Sequence, residues 1–192
     1  MAIVLASQSP RRKELLAQLG VEEFRICPAQ GEEIMPQGAE PSALVEELSR
    51  QKAREVAEKC ESEDLVIGAD TVVALEGTVL GKPGTPEKAA EMLRTLSGKA
   101  HQVYTGITLI RGGVERTRHE CTTVHFRTLT EEEIAWYVST GEPLDKAGAY
   151  GIQGKGARFI PSIEGDYSNV VGLPLCLLGQ MLGEMGEIPG NS

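Results

Sequence analysis

At 192 residues, with 41% hydrophobic and 24% charged positions, the chain can bury one substantial core and is ordinary in make-up for a globular protein. Its net charge of −9 argues against a nucleic-acid polymer as partner, because such a chain repels phosphate backbones unless it carries a concentrated basic face. No stretch approaches the roughly twenty apolar residues of a membrane span, and no basic-then-apolar leader is evident, so a cytoplasmic protein without a membrane partner is expected.

In chain order, Ile3-Val4-Leu5-Ala6 has the length and character of a buried strand. Ser7-Gln8-Ser9-Pro10-Arg11-Arg12-Lys13 follows, then apolar positions 15, 16 and 19 and a glycine at 20. This pattern predicts a helix with Ser9 at its N-cap, Pro10 in its first turn and a stop at Gly20. Three cations at the positive end of a helix raise the local energy. An anion held there by free backbone N–H groups, the serine hydroxyls and the guanidinium forks removes that cost, so a phosphate site is expected.

Phe24–Cys27 reads as a second short strand, and 28–40 as a polar loop whose Glu32 and Glu33 are either metal ligands or, as sequence alone favours, solvated charges. A helix from about Ser42 to Cys60 follows, with Leu44, Leu48, Lys52 and Val56 on one face. Lys52 either snorkels from that apolar stripe or aims its ammonium into a cleft at an anion. Leu65–Ala69 is a strand of buried type, expected to end at Asp70-Thr71, with a separate strand from Val72 to Leu75 turning through Glu76-Gly77 into Thr78–Leu80. An acid at the end of such an apolar strand is either buried and paired or there for chemistry. Gly81-Lys82-Pro83-Gly84 forms a turn that brings out one lysine, and Thr85-Pro86 opens a helix that stops at Gly98.

Residues 101–111 and 114–127 predict a long antiparallel hairpin around Gly112-Gly113. Thr130-Glu131-Glu132-Glu133 is a capping box, so its acids serve the helix cap and dipole and not catalysis. In Asp145–Gly156, glycines at 148, 151, 154 and 156 accompany two lysines and an acid, which suggests a polar loop whose backbone approaches a ligand closely. It is neither a Walker A loop nor a dinucleotide fingerprint. Phe159–Glu164 reads as a strand, Gly165–Asn169 as a turn, and Leu173–Met185, with Pro174 in its first turn, as the closing helix. One domain over 1–187 with a frayed tail over 188–192 is expected. Cys27, Cys60, Cys121 and Cys176 form no C-x-x-C pair, so reduced, mostly buried thiols are expected. His101, His119 and His125 show no ligand spacing, and the last two are expected on a strand surface.

Ser7-x-Ser9-Pro10-Arg11-Arg12 resembles the signature of the Maf family of nucleotide pyrophosphatases. The resemblance extends along the chain through Glu33, Lys52, Gly68-Ala69-Asp70-Thr71, Gly81-Lys82-Pro83, Asp145 to Gly154 and Gly165 to Pro174. It implies an α/β fold similar to the inosine triphosphate pyrophosphatases: an elongated mixed β-sheet flanked by helices, with two lobes around a cleft. It also implies hydrolysis of a nucleoside triphosphate to the monophosphate and pyrophosphate with a divalent cation, Mg²⁺ or Mn²⁺, and a homodimer. The Gly-Ile-Gln-Gly element with Asp70-Thr71 is similar to the branch acting on dTTP, UTP and modified pyrimidine triphosphates.

What the resemblance implies for individual residues follows the chemistry. Arg11, Lys52, Lys82 and the helix start at Ser9 suit the triphosphate charge, with Ser7 and Lys146 in the same binding set. Glu33 and Asp70 suit the cation. Asp70 also activates the water that attacks the α-phosphorus. Arg12, Thr71 and Gln153 occupy the positions that choose the base. The implied cellular task is nucleotide-pool cleaning, cell division arrest or both. The rival readings are a non-enzymatic nucleotide- or protein-binding regulator of septum formation and a nucleotidase or phosphatase that releases orthophosphate.

Overall fold

The computed structural model describes residues 1–187, and the tail expected over 188–192 lies outside the described residues. Strand β1 (Ile3–Leu5) leads through Ser7 into helix α1 (Pro10–Gln18). As the sequence predicts, the Ser9 hydroxyl accepts the Arg12 N–H at the helix start, Pro10 fills the first turn and Gly20 follows at φ 96°. β2 (Arg25–Ile26) and β3 (Leu65–Leu75) lie parallel to β1 on its two sides. Helix α2 (Pro41–Ala57) makes the crossover to β3.

β3 corrects the expectation of two strands meeting at Asp70-Thr71. It is continuous, because β5 (Ala100–Arg111) pairs with it without a break from Val66↔Ile110 to Ala74↔Gln102. Asp70 therefore sits in the middle of a strand, opposite Gly106. On the other edge of β3 the partners change. β1 pairs only as far as Ile67, and β4 (Thr78–Leu80) pairs from Val73 onward. Among the described residues no strand covers 68–72 on that edge, and this gap between a parallel and an antiparallel neighbour is where the sheet changes topology.

The two sheet faces are covered differently. On one, Leu65, Ile67 and Ala69 pack with Leu15 and Leu16 of α1 and with Leu178 and Met181 of α6 (Leu175–Glu184). Further along the same face, Val73 and Leu75 pack with Leu93 and Leu96 of α3 (Pro86–Leu96) and with Ile134 and Tyr137 of α4 (Glu131–Ser139). Thr71 lies between these two cores, at the seam of the two lobes. The opposite face belongs to α2, whose Leu44, Val45, Leu48, Ala53 and Val56 meet Val66 and Val72.

α2 approaches closely because two glycines permit it. A Cβ on Gly68 would lie 2.4 Å from the Ser49 carbonyl oxygen, and one on Gly106 would lie 2.1 Å from that of Val45. Val45, Ser49 and Lys52 step along α2 by one turn at a time, so this contact also carries Lys52 over Asp70.

The remaining strands complete one sheet of order β2-β1-β3-β5-β6-β7, with β4 alongside β3. β6 (Val114–His125) returns from β5 through Gly112 and Gly113, whose φ of 57° and 78° suit the tight hairpin, and β7 (Ser162–Glu164) ends the sheet. Thr130 and Glu133 form the expected capping box of α4.

Three local expectations change. Residues Tyr167–Val171 form a short helix, α5, in place of an open turn, because the Asp166 carboxylate accepts the N–H groups of Ser168 and Asn169. Pro174 is the N-cap of α6, one residue before its first turn. None of the four thiols is fully buried: Cys27, Cys60 and Cys121 are half-buried and Cys176 is exposed. No helix of the described residues is long and apolar enough to cross a membrane.

Candidate active site

The seam between the two lobes opens into a cleft of about 640 Å³, a size suited to a small molecule and not to a polymer. Arg11, Arg12, Lys52, Lys82 and Lys146 all line it, with Ser9, Glu33, Asp70, Thr71 and Gln153. The convergence follows from topology. The β1–α1 loop and the turn after β4 leave the sheet on either side of the uncovered segment 68–72, so they deliver Ser9, Arg11 and Arg12 from one lobe and Lys82 from the other. Lys13, the third cation of the run, is exposed and does not line the cleft.

Ser7 lies behind this surface, 9% exposed. Its hydroxyl accepts the Ser9 N–H at 3.2 Å and a guanidinium N–H of Arg12 at 3.3 Å, so its part is to hold the loop. Arg12 is fixed further by donating to the Gly172 carbonyl at 2.8 Å and to Thr71 Oγ1 at 3.0 Å. Thr71 in turn meets Thr105 Oγ1 at 2.8 Å. Arg12 thus ties α1, β3 and the turn before α6 together, and its orientation is set before any ligand arrives. Burial works against the Arg12 charge and the nearby Asp70 carboxylate supports it.

The α2 side carries the acidic centre. The Lys52 ammonium bonds Asp70 Oδ1 and reaches Glu33 Oε1 at 2.9 Å, so it aims into the cleft and does not snorkel to open solvent, while Glu33 pairs with it from an exposed position. Asp70 is 8% exposed. Burial pushes its carboxyl above the ordinary aspartate range, while Lys52 and Arg12 pull it back. Among the described residues Oδ2 accepts no hydrogen bond, which leaves an acceptor for a water proton.

Glu33 and Asp70 converge on one cationic position, and their oxygens are the hard donors that a magnesium-like ion prefers. No group of three or more His, Cys, Asp or Glu is placed to hold a metal among the described residues. Two carboxylates fit an ion whose other ligands come from substrate phosphates and water.

In the glycine-rich segment 145–156, Gly151 and Gly154 line the cleft, and all four glycines are also pressed against protein groups. A Cβ on Gly148 would lie 2.9 Å from the Val73 side chain, on Gly151 2.9 Å from the Lys146 stem, on Gly154 2.0 Å from Glu142 Oε1, and on Gly156 2.8 Å from the Tyr137 hydroxyl. Lys146 donates to the Glu142 carbonyl at 3.0 Å and to Asp145 at 3.2 Å. Gln153 is exposed at the cleft.

Two residues of this region carried no local signal. Glu142 follows a glycine and precedes a proline, a context that reads as a solvated turn. His101 is fully buried, with Nε2 2.6 Å from the hydroxyl of Tyr150, a cleft residue. Burial holds His101 down to about 4 and therefore neutral.

Comparison with known proteins gives the following. The family model described as "Maf-like protein" matches residues 2–185. The dTTP/UTP pyrophosphatase of Agathobacter rectalis is 54% identical over 202 residues, covering 96% of this chain and 97% of the relative. That of Moorella thermoacetica is 53% identical over 186 residues, covering 96% and 95%. Among solved structures, a HAM1 protein from Coxiella burnetii superposes with a TM-score of 0.52 at 19% identity, over 95% of this chain and 98% of that one, and shows the same fold.

Proposed function

From the premise that this chain belongs to the Maf-like protein family, we propose that it hydrolyses dTTP and UTP to the monophosphate and pyrophosphate. The observation that carries the reading is the meeting of Arg11, Arg12, Lys52, Lys82 and Lys146 with a buried aspartate in one nucleotide-sized cleft. In a chain of net charge −9, five cations against four carboxylates (Glu33, Asp70, Glu142 and Asp145) line this cavity, a local excess of positive charge that suits a compact polyanion.

In this account the triphosphate lies against Arg11, Lys52, Lys82 and the amide groups at the start of α1, where its charge is neutralised. Asp70 takes a proton from a water molecule through its free Oδ2, and the water oxygen attacks the α-phosphorus. The bond from the α-phosphorus to the bridging oxygen breaks, and pyrophosphate leaves with the bonding electrons. Glu33 and Asp70 would hold a divalent cation, Mg²⁺ or Mn²⁺, which supplies neutralisation between phosphate oxygens when bound. Its fit rests on the shared cationic position that Lys52 marks. Arg12 and Thr71, locked to each other, and Gln153 across the cleft meet the base and sugar. The family resemblance supports a single functional domain acting as a cytoplasmic homodimer.

The test is product analysis with Mg²⁺ or Mn²⁺ and, separately, dTTP, UTP, CTP, GTP and 7-methyl-GTP. Pyrophosphate with dTMP and UMP is expected, at a kcat/KM for dTTP and UTP at least about ten-fold above that for the purine substrates. Orthophosphate as the first product would replace the reaction, and 7-methyl-GTP as the best substrate would replace the branch. No product from any nucleotide would leave a binding protein.

A further inference from the structure

Glu142 bonds the glycine-rich loop at two points and Tyr137 of α4 at a third. Its carboxylate accepts the Tyr137 O–H at 2.5 Å, the Lys155 N–H at 3.1 Å and the Gly156 N–H at 3.2 Å. The same Tyr137 hydroxyl accepts the Gly151 N–H at 3.1 Å. The contacts fall on either side of Gln153, at Gly151 before it and at Lys155 and Gly156 after it. The spacing of the glycines is explained by this hub: Gly154 lies where any side chain would strike the Glu142 carboxylate, and Gly156 where one would strike the Tyr137 hydroxyl. Burial works to raise the Glu142 carboxyl, but the hydrogen bonds it accepts outweigh burial and hold it below the ordinary glutamate range. It is therefore an anion at neutral pH, accepting charge-assisted bonds.

We infer that Glu142 is a positioning residue for base selection: with Tyr137 it pins both sides of the 151–156 loop, so that Gln153 is presented to the base in one orientation. The inference rests on the reading of Gln153 as the residue that meets the base. An acidic side chain lining an anion-binding cleft repels substrate if it is free. Committed to backbone N–H groups and a phenol, it spends that charge on holding the loop. A side-chain amide at the tip of a glycine-rich loop otherwise samples many orientations and discriminates poorly between base edges.

A double-mutant cycle tests this. The readout is kcat/KM for dTTP divided by kcat/KM for GTP, in Glu142→Ala, Gln153→Ala and the double variant, with melting curves to confirm folding. Gln153→Ala is expected to lower the ratio about ten-fold. Glu142→Ala should lower it by a similar factor, through KM more than kcat, and the double variant should fall no further than either single change. Glu142→Gln, which keeps one accepting oxygen, should recover part of the loss, and it replaces Glu142→Ala in the cycle if the alanine variant does not fold. A lowered ratio in Gln153→Ala with an unchanged ratio in the Glu142 variants would overturn the inference alone. Independent, multiplicative losses would also overturn it, since Glu142 would then act other than through Gln153. An unchanged ratio in Gln153→Ala would remove the base-selecting role of Gln153, and this inference with it.

Discussion

Asp70→Asn is expected to lower kcat for dTTP by about 10³-fold or more, while the melting temperature stays level or rises. The two halves of this result have one cause. Burial raises the Asp70 carboxyl above its ordinary range, so the group binds a proton more tightly in the folded chain than in the unfolded one. Stability from such a group is present at acid pH and is lost as the pH rises through the folded value, so at neutral pH the ionised carboxylate weighs against folding. Asparagine has nearly the same shape and carries no charge, and Lys52 keeps Glu33 as a partner. The substitution therefore removes the proton acceptor and a strained charge together, as expected where activity and stability are opposed. Retained turnover in a folded variant would end the assignment of Asp70, and loss of turnover through unfolding would end the account of its energetics.

The second large effect is structural. Gly106→Ala places a Cβ 2.1 Å from the Val45 carbonyl oxygen, 2.4 Å from its carbon and 2.8 Å from the Glu46 nitrogen. All three are backbone atoms of α2, so no side chain can turn aside and the whole helix must withdraw. A loss of about 3 kcal/mol in denaturant unfolding is expected. Activity should fall beyond what the unfolded fraction explains, because α2 carries Lys52 away from Asp70. Gly183→Ala in α6, whose added methyl meets nothing within 4 Å, serves as the contrast and should gain about 0.5–1 kcal/mol. If the two variants unfold alike, close approach of α2 is not what holds the site.

These residues also show where the sequence is informative. The cap at Ser9, the capping box at Thr130 and the Gly112-Gly113 hairpin were legible because each is decided within a few residues. Asp70 was marked as unusual but placed at a strand end, because the partner that continues β3 past it, Gly106, lies thirty-six residues downstream (106 minus 70). The mixture of short strands and glycines hid the uncovered edge at 68–72, which only the choice of neighbours creates. The 148–156 glycines were noticed, yet glycine is required equally where a ligand approaches and where a carboxylate or phenol does. Glu142, Tyr137 and His101 act through contacts made by the fold and left no local mark. The ligand roles of Lys82 and Gln153 came from family resemblance, that of Arg11 already from the cations at the start of α1, and their convergence on one cleft is what the structure adds.

The central claim is that Asp70 directs water to the α-phosphorus, and the position of the new oxygen tests it most directly. Attack at the α- or the β-phosphorus releases the same two products, so product identity alone does not separate them. Hydrolysis of dTTP in ¹⁸O-water, followed by mass analysis of both products, does. The account predicts one ¹⁸O in dTMP and none in pyrophosphate; label in the pyrophosphate would contradict it.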